Sequence, residues 1–135
     1  HHGKEEDILF RDLAKKTLSG EHNRIMEELI EEHVQARKKV GRLIEAKNNF
    51  LAGSGDSAPV ADCIRDLISF YPPHIEKEDK HFFFPCLDYF SPDEQDRMMA
   101  EFQEFDRLMI HEKYTKAVEE FLGRKVALSP LRASK

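Results

Sequence analysis

Seven residues spaced 4, 3, 4, 3, 4 and 3 apart, Val60, Ile64, Leu67, Tyr71, His74, Glu78 and His81, mark one continuous face of a helix. No other feature narrows the choice of fold as far. Strand signals are almost absent and apolar residues recur every three or four positions along the chain, which therefore reads as all-α. The face also holds a conflict. Its first half reads as core, and continuing it inward carries His74, Glu78 and His81 toward the same interior. A carboxylate buried there without a partner would cost several kcal/mol or would have to keep a proton. A cation is the simplest remedy, because His74 and Glu78, four residues apart, can present an imidazole nitrogen and a carboxylate oxygen to one metal. The competing reading is a solvated face, since HIEKEDK is charged all round.

The stripe belongs to a third helix, about 58–89, in which Pro72 and Pro73 remove backbone donors and should kink it or break it in two. A first segment, about 3–16, ends near TLSG. Ser19 can cap a long second helix, about 20–52, with the stripe Met26, Leu29, Ile30, His33, Val40, Ile44 and Leu51, and the linker GSGDSAP (53–59) stops it. Ser91-Pro92-Asp93-Glu94 combines a cap, a first-turn proline and a capping-box acid, and starts a fourth helix that runs to about Leu122. Beyond Gly123, RKVALSPLRASK reads as a basic, poorly ordered tail over 123–135. Helices of this length joined by short loops pack most economically as an antiparallel four-helix bundle over residues 1–122. At 135 residues there is room for one domain and not for two ordinary ones.

Charge and composition exclude several functions. A formal charge of -5, with Lys and Arg interleaved among Asp and Glu, argues against a nucleic-acid-binding face. No stretch approaches the roughly 20 apolar residues of a membrane span, and no signal-peptide pattern opens the chain, so a soluble, cytoplasmic protein is expected. Cys63 and Cys86 show no CxxC spacing and read as reduced, buried thiols. The seven histidines are what needs explaining.

The chain opens HHGKEEDILF, and terminal histidines are ordinarily the scar of a purification tag. Here they match an internal segment: His1, Lys4, Glu5, Glu6 and Phe10 correspond to His74, Lys77, Glu78, Asp79 and Phe83 at a constant offset of 73. A tag scar has no reason to match in register, whereas two pseudo-equivalent ligand helices do. Between the copies His33, in LIEEHVQARKKV, falls on an apolar stripe, where a neighbouring helix would complete a coordination shell.

HHGKEEDILF, His33 and HIEKEDKHFFFP together resemble the hemerythrin-like, HHE cation-binding family, in its bacterial and archaeal single-domain branch. The resemblance covers roughly residues 1–122. It implies a four-helix bundle whose core holds two non-haem irons, with manganese or zinc as alternatives. His1, Glu5, His33, His74 and Glu78 fall on the family's ligand positions, the glutamates as bridges and the histidines terminal. An open coordination position would be the place for dioxygen, nitric oxide or a peroxide. The family's bundles normally begin with a further helix bearing its own His, followed by the body of the helix that ends in HHGKEED. Neither is in this chain, so the resemblance implies a bundle that starts partway through and is incomplete, or is completed by association into a homodimer, helix exchange included. The blood-pigment members carry a paired histidine beside the equivalent of His33, but Leu29 and Arg37 stand four residues to either side. Reversible dioxygen transport is therefore not implied.

The remaining polar candidates have weaker claims. His2 could replace His1, pairing with Glu6 at the same spacing, but the repeat register favours His1. Glu6 and Asp79 orient ligands or face solvent; His81, whose repeat counterpart is Ile8, has a lesser claim as an accessory ligand or proton relay; Tyr71 reads as a core aromatic, with a hydrogen bond near the metals as the alternative. His22 reads as a solvated helix start, His111 as surface or packing, and Phe82 to Phe84 as core. Three functions follow: a di-iron protein that binds, stores or senses iron, dioxygen or nitric oxide; a di-iron enzyme of peroxide or nitric oxide chemistry or of iron-sulfur cluster repair; and a metal-free helical interaction module.

Overall fold

The computed structural model describes residues 2–122, and every regular element among them is helical. His1 and the expected tail at 123–135 lie outside the described residues. Four helices follow one another. Helix α1 occupies 2–13, with a π-helical stretch Glu5–Phe10 between α-helical His2–Lys4 and Arg11–Leu13. Helix α2 is Gly20–Asn49, running on into the π-helical turn Phe50–Ser54. Helix α3 is Ala58–Glu76 and continues through π-helical Lys77–Phe83 into Phe84–Cys86, closed by the 3-10 turn Leu87–Tyr89. Helix α4 is Pro92–Leu122.

The starts and stops follow from local chemistry. Ser19 is extended and its Oγ accepts a hydrogen bond from the His22 amide at 3.1 Å, which satisfies one orphan donor of α2. At α4 the capping box forms in both directions: the Glu94 amide donates to Ser91 Oγ at 3.3 Å and the Ser91 amide donates to Glu94 Oε2 at 2.9 Å. Gly53 and Gly55 end α2 with φ of 98° and 72°, a left-handed backbone that residues with a Cβ adopt only at a cost.

Of the two outcomes expected at Pro72 and Pro73, a kink or a break, the break does not occur: α3 runs through both. The carbonyls they leave unbonded belong to Ile68 and Ser69, both at exposed positions where water can reach them. The proline ring's fixed φ is itself compatible with a helix.

The core gathers around one end of the α2–α3 hairpin. Leu13, Leu29, Phe82 and Cys86 are fully buried there, with Phe10 and Met98 packed beside them. The stripes are buried at that end alone. On α3, Ile64 is 44% exposed and Val60, Leu67 and Tyr71 are half-buried, whereas His74 and Glu78 are buried, so the half of the face that reads as core is the less covered one. On α2, Leu29, His33 and Ala36 are buried while Val40, Ile44 and Leu51 are exposed. Of the three adjacent phenylalanines, Phe82 is core, Phe83 is half-buried and Phe84 is 72% exposed. Among the described residues, no helix is long and apolar enough to cross a membrane.

Candidate metal centre

Three helices bring the polar residues together: α1 supplies His2, Glu5 and Glu6, α2 supplies Glu32 and His33, and α3 supplies His74 and Glu78. Both copies of the repeat wind into π-helix at the same place, Glu5–Phe10 in one and Lys77–Phe83 in the other. The wider turn of the second explains a failure of the 4-3 register. After Glu78 the next buried residue is Phe82, four positions on, and His81 is turned out to solvent. His111 is exposed as well.

Glycine at position 3 has a steric reason. A Cβ there would stand 2.8 Å from Cζ of Phe105, so a larger residue fits only if the tip of that ring or the first turn of α1 shifts. Lys4 Nζ, bonded to Asp106 Oδ2 at 2.9 Å, ties the same turn to α4. Its repeat partner Lys77 ties α3 to α2, with Nζ 2.5 Å from Glu32 Oε1 and 3.0 Å from Glu28 Oε2.

At the centre, Glu78 Oε1 lies 3.2 Å from His33 Nε2 and 3.1 Å from His74 Nε2, and Glu5 Oε2 lies 3.3 Å from His33 Nε2. The far nitrogen of each buried ring is held by a carboxylate: His33 Nδ1 donates to Glu6 Oε1 and His74 Nδ1 to Glu32 Oε2, both at 2.8 Å. Such bonds set the ring orientation and aim Nε2 inward. Arg37 Nη1 in turn donates to Glu6 Oε1 at 2.8 Å. The His2 ring stacks on His33 at 4.1 Å and meets His74 edge-on at 5.5 Å. One donor atom from each of His2, His33 and His74, and one from each of Glu5, His33 and Glu78, lie within 4.8 Å of one another, with His33 common to both groups.

The electrostatics suit a cation. Burial, reinforced by the Glu78 carboxylate, pushes Glu5 up to about 7. Burial, with His33 and His74 beside it, pushes His2 down to about 4, so its imidazole is neutral at pH 7 and free to offer a lone pair. Burial works against charge on His33, but hydrogen bonds with Glu78 and Glu6 outweigh it and raise its pKa. Burial likewise opposes charge on Glu6 and Glu32, yet Arg37 with His33, and His74 with Lys77, hold these two carboxyls below the usual carboxylate range.

The donor set fits a metal. His74 Nε2 is buried without a hydrogen bond, although Glu78 Oε1 stands 3.1 Å away. Imidazole and carboxylate without thiolate match iron, manganese or zinc. A cleft of about 670 Å³ reaches the cluster from solvent past Arg37 and Tyr71.

Of the residues expected from sequence, the structure brings together Glu5, His33, His74 and Glu78, while His1 lies outside the described residues. His2 stands in the cluster. Asp79, the repeat partner of Glu6, is exposed, and its role beside the second histidine is taken by Glu32. Glu32 is not among the residues expected from sequence; the acid pair that immediately precedes His33, Glu31-Glu32, is the available signal. His22 is more than a solvated cap, because its Nδ1 meets Tyr89 Oη at 2.8 Å. Residues 1–87 match the family profile of the Hemerythrin HHE cation binding domain. Curated proteins and solved structures yielded no match.

Proposed function

This chain belongs to the hemerythrin HHE cation-binding family, and on that premise we propose that its buried cluster holds two non-haem irons and serves to bind or sense iron, dioxygen or nitric oxide. One observation carries the reading: Glu78 Oε1 stands 3.2 Å from His33 Nε2 and 3.1 Å from His74 Nε2, a carboxylate oxygen shared between two imidazoles from different helices. Two imidazole nitrogens gathered on one carboxylate oxygen, the His74 Nε2 among them without a hydrogen bond, suit a bridging carboxylate. The ligand set is His33, His74, Glu5 and Glu78, with the α1 imidazole coming from the His1-His2 pair, of which His2 is in the described cluster.

Each residue has a defined task. His33 and His74 present Nε2, held in orientation by Glu6 and Glu32 at Nδ1. Glu5 and Glu78 bring the negative charge that offsets the cations, and Glu5 releases its proton as they arrive. Phe10, stacked on His33 at 5.7 Å, keeps water from the inner side of the ring. Bound iron would supply an open coordination position for a diatomic ligand. The positions flanking His33 add no imidazole: Leu29 is core, and Arg37 is committed to Glu6. That favours sensing or storage over reversible dioxygen transport.

Reconstitution with ferrous iron followed by metal analysis and an optical spectrum in air tests the proposal. Two irons per chain with oxo-bridge absorption are expected. Failure to take up iron, or full iron content in Glu78→Ala, would overturn it.

A further inference from the structure

Among the described residues α4 gives no donor atom to the cluster, yet it is tied to the helix that gives two, His2 and Glu5 of α1. Every ion pair that α4 makes with another element, among those residues, goes to α1 or to Lys16 just past its end: Lys4 to Asp106 at 2.9 Å, Arg11 to Glu101 at 3.0 Å and Lys16 to Glu94 at 2.7 Å. The cation is on the α1 side each time and the acid on α4. As one partner advances along α1 the other steps back along α4, so the three pairs fix how far the antiparallel helices slide past each other. Pairs as exposed as these add little to stability, and their one-signed arrangement serves register instead.

The pair nearest the cluster acts on the ligand turn itself. Lys4 lies two residues after His2 and one before Glu5. Its side chain is only 22% exposed, and its Nζ sits 6.0 Å from the centre of the Phe102 ring. Beside it the Phe105 ring lies against Gly3 and limits how closely the turn can approach α4, while the Lys4 bond limits how far it can withdraw. Such a brace has a purpose here. Glu5 and Glu78 put carboxylate oxygens within 4.8 Å of each other, and two acids that close repel when both are ionised, which would displace the turn. The other copy of the repeat is braced in the same way: Lys77, one residue before Glu78, is held by Glu28 and Glu32 of α2.

We propose, on the reading that the cluster holds metal, that Asp106 is a positioning residue of the centre: through Lys4 it fixes the turn that carries His2 and Glu5, and so sets how tightly a cation is held.

The test is cobalt(II) uptake by the full chain, measured as affinity in competition with a chelator and by the visible absorption of the bound ion. Asp106→Lys and Lys4→Asp should each weaken uptake about tenfold and alter the spectrum. The double variant Lys4→Asp/Asp106→Lys should recover most of the affinity and the original spectrum. Charge alone predicts otherwise, because Lys4→Asp puts a negative charge beside Glu5 and would by itself tighten cation binding. Glu101→Lys reverses the middle pair, away from the cluster; it should lower the melting temperature of the metal-free chain about as much as Asp106→Lys does and leave the affinity unchanged. Unchanged affinity in Asp106→Lys, tighter binding in Lys4→Asp, no recovery in the double variant, or an equal loss in Glu101→Lys would overturn the proposal and leave the metal centre standing. No cobalt uptake by the unaltered chain would overturn both.

Discussion

The two halves of α3 reverse the usual rule of burial. Ile64 and Ile68, apolar and on the half nearer the α2 linker, are 44% and 65% exposed, while Glu78 on the other half is 6% exposed. Ionisable residues are among those least often buried, so a helix that covers Glu78 and leaves Ile64 and Ile68 open is organised around a site. The difference comes from what lies across each half. Near His74, α1 and α4 pack against the α2–α3 hairpin and share its core; nothing described covers the same faces around Val40, Ile44 and Ile64. Periodicity thus reports where a helix has an apolar face, and neighbouring elements decide whether that face is core.

The largest contrast between the halves should come from Glu78→Ala, which is expected to abolish iron occupancy, whereas Ile64→Ala should leave the iron-to-protein ratio unchanged; equal loss in both would erase the distinction. Stability should divide in the same way. Leu29→Ala, in the covered half of α2, should cost about 2–5 kcal/mol in denaturant unfolding, and Ile68→Ala, in the open half of α3, should stay within about 0.5 kcal/mol. A subtler effect is expected from Glu32→Gln, which keeps the shape but weakens the hold on His74 Nδ1: metal affinity should fall about 10–100-fold by competition with a chelator, with little change in melting temperature.

The pH dependence sharpens the comparison further. Glu5 carries a folded-state pKa raised from 4.5 to about 7, so the metal-free fold gains from its protonation below pH 4.5 and loses that contribution as pH rises through 7. A bound cation takes the proton's place. Melting temperature should therefore fall between pH 5 and 8 in the metal-free protein and fall less in the iron-loaded one; identical profiles would count against Glu5 as a ligand. The smallest expected effect is chemical. Burial pushes the Cys86 thiol up to about 11, so a thiol reagent at pH 8 should label the half-buried Cys63 well before Cys86, and simultaneous labelling would mean that the core end opens as readily as the rest.

What could be read from the sequence was whatever local chemistry decides. Ser19 and Ser91 cap their helices as their neighbours dictate, and the match of His1 to Glu5 with His74 to Glu78 exposes two copies of one histidine-glutamate spacing. What could not be read depends on contacts between helices. Glu32 reaches His74 only because α2 and α3 adopt one particular register, and a Cβ at Gly3 would meet the Phe105 ring only because α4 packs against α1. The exposure of Ile64 belongs to the same class: the residue is a core type on a core stripe, and only the placement of α1 and α4 leaves it open.

The π-helical turn at Lys77–Phe83 has a consequence beyond the site itself. Such a turn holds one residue more than an α-turn, so it acts as a phase shifter between the parts of α3 on either side. Removing a single residue after Glu78 would return the turn to α geometry with Phe82 still on the core face, because the four steps of the wider turn and the three that replace them cover nearly the same angle. The same deletion in the α-helical part, Ala58–Glu76, changes no turn geometry and would rotate the two sides of α3 by about 100° relative to each other. Loss of a residue should thus be borne in this turn and not in the helix before it.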